Sequence, residues 1–171
     1  MFARSTTVQV RTRSLDAAVA RVRDDVMPAL PASEGCLGLS MLVNRATAGN
    51  AMPEVEDWEI GVLHRDHTSG PGAWVRVSWV HVEPEQVDRL ADLYRMVLLP
   101  KIVEFAGFCS ASVLLDRPSG HAVSSVTFDS YQEMRTTRTL AVGVREHVEG
   151  EVLEVDELQL ALAHLRVPEP A

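Results

Sequence analysis

Histidine ordinarily titrates close to neutrality, which makes it the natural general acid or base, and this chain has 6. His81 and His121 are the candidate catalytic pair. One ends a predicted strand and the other begins an antiparallel one, so both fall at the same end of a sheet. The accompanying pocket is read from side chains that alternate toward one strand face. Trp79 and Phe108 supply apolar wall, Gln9, Ser110, Ser112 and Gln159 supply polar contacts, and Gly61 and Ala161 leave room. That mixture is the usual lining of a small-molecule site. His64 and His164 end two matching strands and read as structural, and Tyr94 lies on an apolar helix stripe and reads as core. His64-x-x-His67 has a metal-like spacing without a third ligand and reads as loop, so no metal is assigned. No nucleophile elbow, phosphate loop or dinucleotide motif is present, and no cofactor is expected.

The elements that must hold these residues follow from periodicity. Residues 74–82 alternate and are β-branched or aromatic, as in a strand. Pro84 opens a helix whose stripe is Val87, Leu90, Ala91, Tyr94, Val97 and Leu98, and Pro100 ends or kinks it. Strands follow at 108–115 and 121–128, joined by the turn Asp116 to Gly120. Ser130 and Glu133 make a capping box for a helix running to about His147, and 153–163 is a last strand. The order is βαββαβ, the ferredoxin-like unit.

The chain also resembles itself. A shift of 72 residues puts Arg4 on Arg76, Asp16 on Asp88, Pro28 on Pro100, Gly35 on Gly107, Ser40 on Ser112 and Arg45 on Arg117. A shift of 100 puts Val55 on Val155 and His64 on His164. The first copy thus lacks 28 residues that the second has, corresponding to its third strand and second helix. The reading is a truncated unit at 1–66, a linker at 67–73 and a complete unit at 74–166. The first unit has strands at 5–12, 36–43 and 57–64 and a helix from Ser14 to about Leu30. Val8, Val10, Val80 and Val82 are expected to pack under helices, opposite Thr7, Gln9, Trp79 and His81. In the second strands Leu37, Leu39, Met41 and Val43, like Cys109, Ala111, Val113 and Leu115, are expected on the helix side. In the last strands Trp58, Ile60, Val62, Leu158, Leu160 and Leu162 are expected there too, leaving Glu59, Gly61, Gln159 and Ala161 inward.

Pro100, Gly107, Ser112, Leu114 and Arg117, together with VTFDSYQEM at 126–134, resemble the antibiotic biosynthesis monooxygenase family in its tandem form. The resemblance implies an α+β fold in which two ferredoxin-like units build a dimeric-α/β-barrel architecture within one chain. It further implies cofactor-independent oxidation, or binding, of an aromatic or polyketide-type small molecule. In such chemistry a base forms the enolate or phenolate, and an apolar site shelters the anion while oxygen reacts. His81 and His121 would be that base. A non-catalytic ligand-binding or scaffolding barrel is the alternative, and the missing 28 residues favour it. Haem degradation is a minor alternative. His147 stands where that branch has its haem-ligating His, but Thr137 occupies the matching Trp position and the first strand of the second unit offers no Asn.

Composition bounds the partners. Sixteen basic against 24 acidic residues leave a net charge of −8, which gives no reason to seek nucleic acid or an anionic membrane. The start MFARSTTVQVRTR has no apolar leader region, and Cys36 and Cys109 are too few for a disulfide framework, so a cytoplasmic protein with free thiols is expected. The truncated unit should leave Leu37, Leu39, Met41 and Val43 uncovered, and a homodimer that buries them is expected.

Overall fold

The computed structural model of the chain describes residues 1–32, 35–44, 54–139 and 150–165. Seven strands form one sheet: β1 (Phe2–Thr7), β2 (Gly38–Val43), β3 (Glu54–Arg65), β4 (Trp74–Val82), β5 (Phe108–Asp116), β6 (His121–Phe128) and β7 (Gly150–Leu165). Their spatial order is β1-β3-β5-β6-β4-β7-β2, and every pairing is antiparallel. The last four strands in sequence stand as β5-β6-β4-β7, the order of a ferredoxin-like unit. The first three do not form a sheet of their own. β1 pairs with β3, but β3 then pairs with β5, and β2 pairs with β7. β3 and β7 therefore bridge the two halves of the chain. This explains why both outrun their expected limits: β7 runs along β4 from Gly150 to Gln159 and along β2 from Gln159 to Leu165.

β1 begins and ends earlier than its alternation suggests. Thr7 pairs with Glu54, the first residue of β3, and the ladder between the two strands ends there among the described residues. The chain instead enters α1 (Thr12–Arg21), which continues as a π-helical turn over Val22–Val26 and a 3-10 segment over Met27–Ala32. The second helix repeats this form. A 3-10 turn at Pro84–Gln86 leads into α2 (Val87–Leu93), a π-helical turn at Tyr94–Leu98 and α3 (Leu99–Ile102). The widened turn precedes Pro100, whose ring would clash with the carbonyl four residues back and which has no N–H to bond it.

The sheet is curled, because strands far apart in its order meet on one face. Trp58 of β3 and Trp79 of β4, with β5 and β6 between them, have ring centroids 6.2 Å apart. Around them pack Val75, Val77, Val123, Leu114, Leu158 and Leu160, with Leu42 and Ala3 from the two edge strands. The outer face carries the larger core. Val87, Leu90, Ala91, Tyr94, Leu98 and Ile102 pack on Val82, Ala111, Val113, Leu115, Ala122 and Phe128. Each large side chain so buried contributes roughly 1.5–3 kcal/mol. The helical stripe that begins in α1 is covered less well: Leu15 is buried, but Val26 is 41% exposed. A third helix, α4 (Tyr131–Thr136), starts as its capping box predicts. Ser130 Oγ accepts from the Glu133 amide at 3.2 Å and donates to the Glu133 carboxylate at 2.8 Å. The rest of that expected helix, with His147, lies outside the described residues. No helix among the described residues is long and apolar enough to cross a membrane.

Candidate functional site

The inner face of the sheet bounds an open trough of about 2060 Å³. A closed small-molecule pocket holds roughly 300–1,000 Å³, so this is a cleft rather than a sealed chamber. Its breadth has a topological source. β1 and β2 are the two edges of the order, and no described strand lies between them. The wall combines Trp79, Val75, Val77, Val123, Leu158 and Leu160 with the hydroxyls of Ser110, Ser112 and Ser125. Trp58 is buried in the same apolar cluster as Trp79 and donates its indole N–H to Ser5 Oγ at 2.9 Å.

Of the residues expected to bind substrate, Trp79, Ser110 and Ser112 share this wall, and Gln9 lies exposed at its rim beyond β1. Phe108 does not share it. β5 skips Cys109 in its pairing with β6, so the alternation reverses there and Phe108 turns into the helix-side core. It packs edge-on to Phe128 at 6.3 Å and stacks with His64 at 5.9 Å. Gln159 is also turned away, because Leu158 and Leu160 on either side of it face the trough. The inward and outward faces of β3 and β7 are thus the reverse of those expected from sequence over Trp58, Ile60, Leu158 and Leu160. The physical reason is that the lumen is itself apolar, so the alternating hydrophobic series fits it. The polar series turns outward into ion pairs: Glu59 with Arg117 at 2.6 Å, and Glu157 with Arg138 at 2.9 Å. The set Leu37, Leu39, Met41 and Val43 is also better covered than expected. Val43 is buried and the others are half-buried, since β2 pairs along its length with β7.

His81 and His121 do come together. They are direct partners in the β4–β6 register, with rings 5.1 Å apart, at one end of the sheet. His121 is exposed and its Nδ1 lies 3.0 Å from Ser119 Oγ. Neither ring belongs to the trough wall. His164 does, and its Nε2 is buried without a hydrogen-bond partner among the described residues. Tyr94 is core: burial pushes its hydroxyl up to about 12, and that oxygen accepts from Ser124 Oγ at 3.2 Å. Thr137 is buried in a structural role, donating to the Met134 carbonyl at 2.7 Å and accepting from Arg76.

A cluster that sequence spacing did not reveal gathers His67, Cys109 and Asp129, which come from three separate segments. Asp129 accepts from Cys109 Sγ at 3.3 Å and lies 3.2 Å from His67 Nε2. Burial, with the Asp129 carboxylate close by, pushes the Cys109 thiol up to about 12.

A curled antiparallel sheet with helices on its outer face defines an α+β protein of ferredoxin-like fold. The solved structures it resembles bear this out at the level of fold. A candidate monooxygenase from Lactobacillus acidophilus superposes with a TM-score of 0.74 at 11% identity, covering 96% of this chain and 95% of that one. A ferredoxin-fold protein related to antibiotic biosynthesis monooxygenases, from Listeria monocytogenes, gives 0.58 at 13% over 93% and 92%. LmHde, a heme-degrading enzyme from Listeria monocytogenes, gives 0.55 at 12% over 92% and 97%. At such identities the likeness is one of fold alone. No family model matches the chain. Two uncharacterized proteins of Mycobacterium tuberculosis do. Rv2557 is 43% identical over 205 residues, 99% of this chain and 91% of that protein. Rv2558 is 40% identical over 207 residues, 99% and 87%. The chain belongs to the family of these mycobacterial proteins.

Proposed function

We propose that this protein binds a flat aromatic or polyketide-type small molecule in the trough, as a monooxygenase-like barrel of two related units. The observation that carries the reading is Trp79 in the trough wall, backed by the buried Trp58 with ring centroids 6.2 Å apart. Trp79 forms an apolar floor beside Leu158, Leu160 and Val123, with serine hydroxyls along the same wall. Aromatic faces recognise flat rings by stacking, and the hydroxyls of Ser110, Ser112 and Ser125 along the wall can hydrogen-bond such a ligand. A cytoplasmic location belongs to the same reading.

Cofactor-independent oxidation of the bound molecule is the second reading, favoured by the monooxygenase-like fold. In it His81 or His121 withdraws the proton that creates the electron-rich anion. Since both rings lie outside the trough wall, the substrate would have to reach the sheet end to meet them. Titration with an anthrone, read by tryptophan fluorescence and by oxygen uptake, tests both readings. Saturable quenching that disappears in Trp79→Ala supports binding, and no quenching at millimolar anthrone rejects it. Oxygen uptake lost in a folded His81→Ala variant supports the oxidation, and unchanged uptake removes His81 from the reaction.

A further inference from the structure

Three ligand-type side chains with no part in the trough meet at one end of the sheet. His67 follows β3, Cys109 is the residue that β5 skips, and Asp129 follows β6. Their main chains are locked together. The amides of Asp66 and His67 both donate to the Cys109 carbonyl, at 2.8 and 3.3 Å, and the Asp129 amide donates to the Gly107 carbonyl at 2.8 Å. A bulge re-aims the side chain it carries. Cys109 accordingly leaves both apolar clusters, and its Sγ reaches Asp129 Oδ1 at 3.3 Å. His67 Nε2 lies 3.2 Å from each Asp129 carboxylate oxygen. The sulfur, the ring nitrogen and a carboxylate oxygen all fall within 4.8 Å of one another.

We propose that His67 Nε2, Cys109 Sγ and Asp129 bind a divalent cation of the zinc class, with the fourth position open to solvent. Bonds of about 2.3 Å to sulfur and about 2.0–2.1 Å to nitrogen or oxygen, at tetrahedral angles, set ligand atoms roughly 3.3–3.5 Å apart. Two of the three separations already stand at 3.2 and 3.3 Å. The donor set of one thiolate, one imidazole and one carboxylate suits zinc or cobalt and disfavours magnesium or calcium, which take oxygen. The outer support is present too. His67 Nδ1 lies 3.0 Å from Asp66 Oδ2, so its N–H donates there and Nε2 is left to ligate. The imidazole and carboxylate are 41% and 46% exposed, whereas Cys109 is fully buried beneath them. A cation can therefore arrive from solvent and settle onto the sulfur. On binding, the metal–sulfur bond forms as the thiol S–H bond breaks, and the proton leaves to water with no change of oxidation state.

The test uses the full chain, stripped with chelator under reducing conditions and titrated with cobalt(II) alone. One cobalt per chain is expected, with a thiolate-to-cobalt charge-transfer band that zinc(II) then displaces. Cys109→Ser should abolish the band, and Cys36→Ser, which alters the other thiol, should keep it. His67→Ala should weaken cobalt binding on the order of 100-fold. That variant removes an exposed side chain, so it remains informative if Cys109→Ser does not fold. Absence of the band in the wild-type chain at millimolar cobalt overturns the proposal. So does a band that survives Cys109→Ser, or an affinity unchanged by His67→Ala.

Discussion

Gly61 of β3 and Ala161 of β7 are skipped in the same way by the strands beside them. Ile60 pairs with Leu114 and Val62 with Val113; Leu160 pairs with Leu42 and Leu162 with Met41. Each is the extra residue of a β-bulge, which reverses the alternation of faces beyond it. In β3 the reversal is visible in the packing: Trp58 belongs to the inner cluster and Val62 to the helix-side core. The π-helical turns at Val22–Val26 and Tyr94–Leu98 likewise stand at matching places in the two halves. These irregularities fall at positions that the shifts of 100 and 72 residues bring into register.

Gly61→Ala should destabilise the protein by about 1–3 kcal/mol, because a Cβ there would stand 2.6 Å from Leu115 Cδ1 and Leu115 is buried in the core. The melting temperature should fall by several degrees. Gly70→Ala, where nothing lies within 4 Å, is the control and should leave the melt unchanged. Equal melts for the two variants would show that the bulge yields freely.

Glu157 holds two arginines, Arg76 at 3.1 Å and Arg138 at 2.9 Å, and the Arg76 side chain is only 9% exposed. Glu157→Ala should therefore cost about 2–3 kcal/mol in urea unfolding, chiefly by leaving a buried guanidinium short of its counter-charge. Arg138→Ala, which leaves the Arg76 pair intact, should cost much less.

The same carboxylate gives an acid dependence of known sign. Burial raises the Glu157 pKa, but Arg138 and Arg76 outweigh it and hold the carboxyl below its ordinary value of 4.5. A lowered folded-state pKa stabilises the native state at pH above about 4.5, and that stabilisation is lost as pH falls through the folded value. The stability difference between wild type and Glu157→Gln should shrink steadily on acidification through this window. A difference independent of pH would exclude the linkage.

Ser112 is half-buried in the trough wall on β5. Ser112→Trp should fill part of the trough without touching the helix-side core. It should weaken anthrone binding at least tenfold, as read by fluorescence titration, while leaving the circular dichroism spectrum intact. Undiminished binding would place the ligand elsewhere.

We propose that two chains associate through the edge strands. Among the described strands β1 and β2 end the sheet order, and an open edge is a template for pairing. The exposed apolar groups near the β1 edge are not the set expected from sequence and include Phe2, 82% exposed, and Val55, 56% exposed on the neighbouring strand. Light scattering at micromolar concentration should give about twice 18.8 kDa, and Phe2→Asp should shift it toward the single-chain mass. A wild-type mass of one chain rejects the association.

Local chemistry was enough to read much of this protein. Alternation delimits β4 and β6 to the residue, Pro84 marks a helix start, and Ser130 with Glu133 caps another. These signals lie within a few residues of each other and need no distant partner. Trp79, Ser110 and Ser112 were also legible as inner-face residues, since no bulge separates them from the rest of their strands' inner series.

What only the tertiary structure decided depends on pairing between remote segments. Which strand lies beside β2 or β3 is settled by the sheet as a whole, and so are the bulges that turned Phe108 outward. Strand parity is a running count, and a single skipped residue inverts everything past it. The meeting of His67, Cys109 and Asp129 was hidden for the same reason. The segments after β3 and β6 and the bulge in β5 bring them together at one end of the sheet, and no spacing along the chain records that.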